Sequence, residues 1–328
     1  MDSGPSSAYH TSGFGGCVRK CRAMFKQRLI FGLLFGITLL IMFYFDQTWS
    51  AGWPARPWSF PPGALMVLTL IITIPLATAE MRNLLAYEHV KISLRVCSIS
   101  AILCMLWPWL EQISEMLLAH PQGAAAPAIV IAHWFHTVKP HYLVPTVLAL
   151  AMVWAFVMYS RKEKIDGAMA SAGGSLLAIT YLGVLPGFFL PIRLSHSSGM
   201  VVSILLMVKG ADIGAYAFGR WLGRHKLIAW LSPGKTVEGF IGGLIFAALI
   251  GSILTHCSSE FDWWEGAIAG LLLGAAGQFG DLLESLLKRD AGVKDSGSVP
   301  GFGGILDLMD SPLLAAPVAY WMLKLVHG

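Results

Sequence analysis

Residues 277–311 read GQFGDLLESLLKRDAGVKDSGSVPGFGGILDLMDS, and the division of this stretch into charge and apolar flanks decides the fold class. It holds six carboxylates (Asp281, Glu284, Asp290, Asp295, Asp307 and Asp310), three cations (Lys288, Arg289 and Lys294) and a glycine-rich loop. Apolar segments lie on both sides, 266–280 before the charges and 312–323 after them. A charged connection between two such segments is the pattern of two membrane helices joined at the membrane surface. Charge this dense at that boundary marks chemistry on something charged.

The rest of the chain repeats the pattern. Hydrophobic residues make up 55% of the 328 and charged residues 13%, with a mean hydropathy of +0.65. A soluble globular chain carries about 25% charged residues, so a soluble enzyme is excluded. The net charge of +4 is small and dispersed, and no nucleic-acid partner is expected. The apolar runs are long enough to cross about 30 Å of hydrocarbon. The reading is an all-α, polytopic transmembrane protein of about nine spans: 29–45, 62–80, 96–110, 142–160, 167–190, 198–218, 237–255, 264–283 and 311–326. The third is short, and Ala124–Phe135 is too brief to span alone, so it is expected to be re-entrant or interfacial. A basic, partly disordered tail over 1–28 is expected to precede one transmembrane domain over 29–328.

Lysine and arginine fall in alternate loops. They occur between Arg19 and Arg28, Arg82 and Arg95, Arg161 and Lys164, Arg220 and Lys235, and Lys288 and Lys294. Arg56, Lys139, Arg193 and Lys324 fall on the other side, and Lys209 lies inside a span. The positive-inside bias then makes the N-terminus and these loops cytoplasmic, and an odd span count puts the C-terminus outside. The tail lacks the cleavage pattern of a secretory signal. Cys17, Cys21, Cys97, Cys104 and Cys257 show no CxxC spacing, so free thiols are expected. No internal repeat is evident, which argues against a transporter.

Two cytoplasmic segments carry candidate chemistry. In KGADIGAYAFGRWLGRHKLIAWLSPGKTVEGFIGG (209–243), Asp212, Tyr216 and Arg220 share one helical face. Pro233 and Gly234 are expected to form a turn before a helix that starts near Thr236, with Glu238 in its first turn. Lys235 and Thr236 there suit an anion, because free backbone N–H groups and the helix dipole favour negative charge. The block lacks P-loop spacing, and an ordinary basic loop is the competing reading. In the opening stretch Asp281, Glu284, Ser285 and Lys288 form one helical stripe. Asp307 and Asp310 share a face just before the last span. Carboxylates so placed suit a hard cation, and Mg²⁺ typically takes one or two of them plus substrate phosphates. A solvated helix end with an internal salt bridge is the alternative. Gly301, Gly303 and Gly304 allow close backbone approach to a ligand.

At these residues the chain resembles a known family. The run SLLKRDAGVKDSG followed by PGFGGILDLMDS closely resembles the signature of phosphatidate cytidylyltransferases, also called CDP-diacylglycerol synthases. DIGAYAFGRWLGRHKL, SPGKTVEGFIGG and GQFGDLLES match that family's other blocks in type, order and spacing, and Glu80 and Arg193 do so more loosely. The resemblance covers about 170–326 well; the N-terminal half matches only as a set of spans. Four features depart from it. Phe302 stands where the family has His, Leu308 stands where it has Arg, and the 297–300 stretch is one residue short. Gly234 also replaces a common Lys.

The resemblance implies transfer of CMP from CTP to phosphatidate, giving CDP-diacylglycerol and pyrophosphate in phospholipid synthesis at the cell inner membrane. It implies Mg²⁺, with room for a second cation, on Asp281, Asp307 and Asp310. It gives Lys288, Arg289, Lys294 and Asp295 catalytic roles. Substrate contacts fall to Asp212, Arg220, Ser232, Lys235, Thr236, Ser285, Gly303 and Gly304. CTP, phosphatidate and the bilayer are the expected partners, with a homodimer left open. The nucleophilic phosphate is already ionised near neutral pH, so turnover does not need the missing His. The alternatives are a CTP-dependent lipid kinase, a catalytically weak binding paralogue and, less favoured, a transporter. A CDP-alcohol phosphotransferase is set aside because the chain has no DGxxAR block.

Overall fold

A computed structural model of the chain describes residues 34, 36–53, 59–119, 126–137, 143–160, 167–256, 261–293, 296 and 303–327. The tail 1–28, Cys17, Cys21, Cys257 and the site candidates Lys294, Asp295, Gly301 and Phe302 lie outside them. The described chain is helical apart from one small hairpin. The helices are α1 (36–50), α2 (Ala64–Tyr87), α3 (Leu94–Ala119), α4 (Ala126–Thr137) and α5 (Leu143–Ser160). A rod of α6 (Ala168–Ile179), a π turn (Thr180–Val184), α7 (Leu185–Gly187) and α8 (Phe189–Ser195) comes next. Then follow α9 (Ser198–Leu222), strands β1 (Lys226–Ile228) and β2 (Ser232–Thr236), α10 (Val237–His256), α11 (Trp263–Asp290) and α12 (Leu306–His327).

Among the described residues, six of these units are long and apolar enough to cross a membrane: α2, α3, the rod Ala168–Ser195, α9, α10 and α11. The architecture is all-α and polytopic, with α5 and α12 as further apolar helices. Two sequence expectations need correction, at the third span and at SPGKT. The third span is not short, since α3 runs for 26 residues; its polar C-terminal turns continue the helix beyond the apolar part. The 124–135 segment holds the helix α4, packed against α3. SPGKT is not a turn but strand β2, antiparallel to β1, with Lys226 opposite Thr236 and Ile228 opposite Ser232. The chain reverses earlier, through Ala229–Leu231. Pro233 is tolerated because a two-stranded ribbon has a free edge where its missing N–H costs nothing.

Packing of α9, α10 and α11 explains the glycine content of those helices. On α10, Ile241, Ile245, Leu249 and Ile253 form an exposed stripe, while Gly239, Gly243, Ala247 and Gly251 are buried. The pattern is inverted relative to a soluble helix: bulk faces outward and small residues face the neighbours, so backbones approach closely. A side chain at Gly251 would collide with the backbone of Gly266, and one at Gly270 with that of Ala247. At the start of α2, buried Arg193 pairs with Asp46 at 2.6 Å and donates to Ser50 Oγ at 3.0 Å and the His196 carbonyl at 3.2 Å. Asp46 in turn accepts the Gly63 and Leu65 N–H groups. This cluster pins α1, α2 and α8 together. It lies about 24 Å from Glu80 along α2, at 1.5 Å per residue.

Candidate active site

The site forms where α11 crosses α12. At the crossing Gly280 faces the Asp310 backbone, and a β-carbon there would strike the Asp310 carbonyl. The glycine therefore permits the approach that brings Asp281 and Glu284 of α11 against Asp310 of α12. One oxygen from each of these three carboxylates lies within 4.8 Å of the others. Glu284 and Asp310 are buried, and Asp281 is half-buried.

Lysines from three directions surround the carboxylates. Lys235 of β2 reaches Asp281 at 2.7 Å. Lys288, one turn beyond Glu284, lies 2.5 Å from Glu284 and 2.9 Å from Asp307. Lys209 of α9 sits 3.2 Å from Asp212 and 3.9 Å from Asp310. Ser311 donates its hydroxyl to Asp212 and to Asp310, tying α9 to α12. Among the described residues, five carboxylates stand against three ammonium groups in this network, two more acids than cations. Glu284 is 1% exposed, and the cation paired with it is Lys288, which it shares with Asp307. A buried carboxylate in that state is the donor a hard divalent cation takes. The residues therefore fit a cation between α11 and α12, with lysines placed to meet phosphate.

The start of α12 is held from the N-terminal half of the chain. Glu80 of α2 accepts the Ile305 N–H at 3.0 Å, the Leu306 N–H at 2.9 Å and the Ser296 hydroxyl at 3.3 Å. A carboxylate at a helix N-terminus satisfies orphan donors and opposes the positive end of the dipole. Gly304 is required beside it, since a β-carbon there would overlap both Ser296 and Glu80. Gly303 adopts φ +92°, which an L side chain disfavours.

The remaining sequence candidates divide into those at the cluster and those beside it. Asp281, Asp310, Asp212, Lys235, Lys288 and Asp307 are brought together. Asp307 pairs with Lys288 and stands outside the carboxylate trio. The Thr236 hydroxyl accepts the Gly239 N–H and so caps α10. Arg289 donates to the Leu231 carbonyl and braces the hairpin. Arg220 donates to the Tyr216 hydroxyl on the exposed end of α9. Ser232 and Ser285 are half-buried on β2 and α11.

Comparison with known proteins adds an independent observation. The family model described as "Cytidylyltransferase family" matches residues 26–326. The chain belongs to the cytidylyltransferase family. Among its curated relatives, a phosphatidate cytidylyltransferase of Synechocystis sp. is 33% identical over 264 residues, covering 69% of this chain and 88% of that protein. One from Chlamydia pneumoniae is 37% identical over 211 residues, covering 60% of this chain and 68% of its own length. One from Staphylococcus haemolyticus is 37% identical over 171 residues, covering 52% and 65%.

In this cytidylyltransferase-family chain, four groups at the site carry little local signal. Glu284 shares the stripe of carboxylates that suits a cation, but the metal set implied by the resemblance leaves it out. Lys209 is an ionisable residue inside a span, itself a functional signal. Ser311 gave no signal of its own. Glu80 was noted only as a loose resemblance, because its partners are more than 200 residues away.

Proposed function

We propose that this chain transfers CMP from CTP to phosphatidate, releasing pyrophosphate and leaving CDP-diacylglycerol in the membrane. A phosphate oxygen of the lipid attacks the α-phosphorus of CTP. The new O–P bond forms as the bond to the β-phosphate breaks, and pyrophosphate carries away the electron pair. The attacking oxygen is already ionised, so no side chain has to remove a proton. The protein must instead hold anionic groups together and balance their charge.

The carboxylate trio of Asp281, Glu284 and Asp310 carries this reading. These residues would hold Mg²⁺, which supplies charge neutralisation and orientation for phosphate oxygens when bound. Lys235, Lys288 and Lys209 then exchange carboxylate partners for phosphate oxygens of nucleotide and lipid. Asp307 positions Lys288 and adds an oxygen beside the trio. Lys294 and Asp295, in the same motif, keep the catalytic roles that the resemblance implies. The finer topology proposed is nine spans with the N-terminus and the site on the cytoplasmic side of the inner membrane, supported by the alternation of basic loops. Labelling a cysteine at position 298 from outside intact cells is then expected to fail.

The deciding experiment incubates purified protein with cytidine-labelled CTP, phosphatidate and Mg²⁺. Label is expected in the lipid phase, with pyrophosphate released in equal amount and EDTA stopping both. Lipid phosphorylation with release of CDP would establish the kinase alternative. No transfer to any phosphatidate by well-folded protein would leave a binding paralogue.

A further inference from the structure

The hairpin β1–β2 does two things at once. Its inner side is bound to the site: Lys235 pairs with Asp281 at 2.7 Å, and the Leu231 carbonyl accepts from Arg289 at 3.3 Å. Its outer side presents the opposite chemistry. The loop between the strands buries Leu231 (5% exposed) but leaves the adjacent Trp230 74% exposed. Trp221, in the last turn of α9 just before the hairpin, is 87% exposed. A loop that buries its leucine while offering its tryptophan has an outward face that is apolar and aromatic. Tryptophan with that exposure at the end of a membrane span belongs at the membrane–water interface.

The exposed charge around the hairpin is mostly basic. Arg224 and Lys226 are exposed. Between residues 213 and 259 the only acid is Glu238. Its carboxylate is engaged by the backbone N–H groups of Arg224 and His225 and by the His225 ring at 2.6 Å. Lys226 donates to the Pro233 carbonyl at 2.7 Å, a neutral partner that leaves its charge intact. Among the described residues these two exposed cations form no ion pair with a carboxylate, and they lie near two exposed tryptophans in the chain.

We propose that the β1–β2 hairpin is an interfacial element that gathers anionic phospholipid beside the acidic site, phosphatidate in the proposed reaction. Trp221 and Trp230 sit among the headgroups, and Arg224 and Lys226 pair with lipid phosphates. The inner strand, through Lys235, meets the same class of group in the site. The proposal rests on the cytidylyl-transfer reading for the identity of the lipid, but not for the membrane contact.

The test uses the full chain reconstituted in phosphatidylcholine bilayers with graded mole fractions of phosphatidate. Two double variants are compared with wild type: R224Q/K226Q and W221A/W230A. Each basic residue near an anionic surface enriches the lipid roughly fivefold, so the charge variant is expected to raise the bilayer KM for phosphatidate on the order of 20-fold. The tryptophan variant is expected to raise it severalfold. In both, kcat, the KM for CTP and turnover of a soluble short-chain phosphatidate are expected to stay unchanged. An unchanged bilayer KM would overturn the proposal, as would a rise in the KM for CTP instead, which would assign the cations to the nucleotide. A readout independent of turnover is the emission lost in W230A. That component is expected to be quenched by phospholipid brominated close to the headgroup, more strongly in anionic than in neutral bilayers. If the wild type makes no CDP-lipid from either substrate yet shows this quenching, the reaction is wrong and the membrane contact stands. Absence of quenching overturns the contact itself.

Discussion

Replacing Glu80 by alanine tests whether the N-terminal half of the chain sets the geometry of the site. In the structure its two oxygens receive two backbone N–H groups at the start of α12 and one serine hydroxyl. Hydrogen bonds to a charged group contribute about 1.5–3 kcal/mol each, and the dipole at a helix N-terminus adds about 0.3–1 kcal/mol. Removal also leaves a space at half-buried Glu80 that water can enter, and this returns part of the loss. The expected net destabilisation is about 2–4 kcal/mol for Glu80→Ala. Glu80→Gln keeps one acceptor oxygen but turns an N–H₂ toward the other donor, and is expected to cost about 1–2 kcal/mol. The assay is thermal unfolding in detergent, paired with turnover measured well below the transition. Asp307 and Asp310 lie in the first two turns of α12. A shift of about 1 Å in a catalytic group can cost 10²-fold, so kcat of the alanine variant is expected to fall at least tenfold with little change in the KM for CTP. Added Mg²⁺ is expected not to restore it, because Glu80 acts on the helix and not on the ion. A Glu80→Ala protein with wild-type unfolding and wild-type kcat would refute the reasoning. Rescue by Mg²⁺ would make Glu80 a ligand.

Other perturbations separate charge from packing. Glu284→Gln and Asp310→Asn are each expected to cut kcat by roughly 10²–10³ and to raise the Mg²⁺ concentration needed for half activity; Asp307→Asn is expected to lower kcat with a smaller effect on Mg²⁺ demand, which titration of activity against metal would read. Gly280→Ala inserts a methyl group against the Asp310 carbonyl. It is expected to cost about 1–3 kcal/mol as overpacking and to abolish most turnover by parting α11 from α12; an active, stable variant would show that the crossing has slack. Arg193→Met leaves Asp46 buried without its cation, a change that commonly costs about 3–5 kcal/mol. It is expected to lower the unfolding temperature while leaving the Mg²⁺ and CTP dependence of the surviving folded protein unchanged.

What the sequence determined by itself is what local sums determine. Whether a segment is apolar enough for lipid depends on its own residues, so α2, α9, α10 and α11 were legible as spans. The helical stripe of Asp281, Glu284 and Lys288 was legible too, because positions three and four apart always share a face. Where neighbouring side chains did not decide the backbone, the local reading failed. SPGKT holds two turn-forming residues yet is a strand, because β1 supplies a partner that no local preference foresees. The composition of the site is a tertiary fact. Asp310 joins Asp281 and Glu284 instead of pairing with Asp307 because the α11–α12 crossing is set by a close contact at Gly280. Lys209 enters from α9, and Glu80 from a helix more than 200 residues away. In lipid, apolar burial hardly distinguishes one helix neighbour from another. Small-residue contacts and buried polar pairs choose the register, and those pairs lie far apart in the chain.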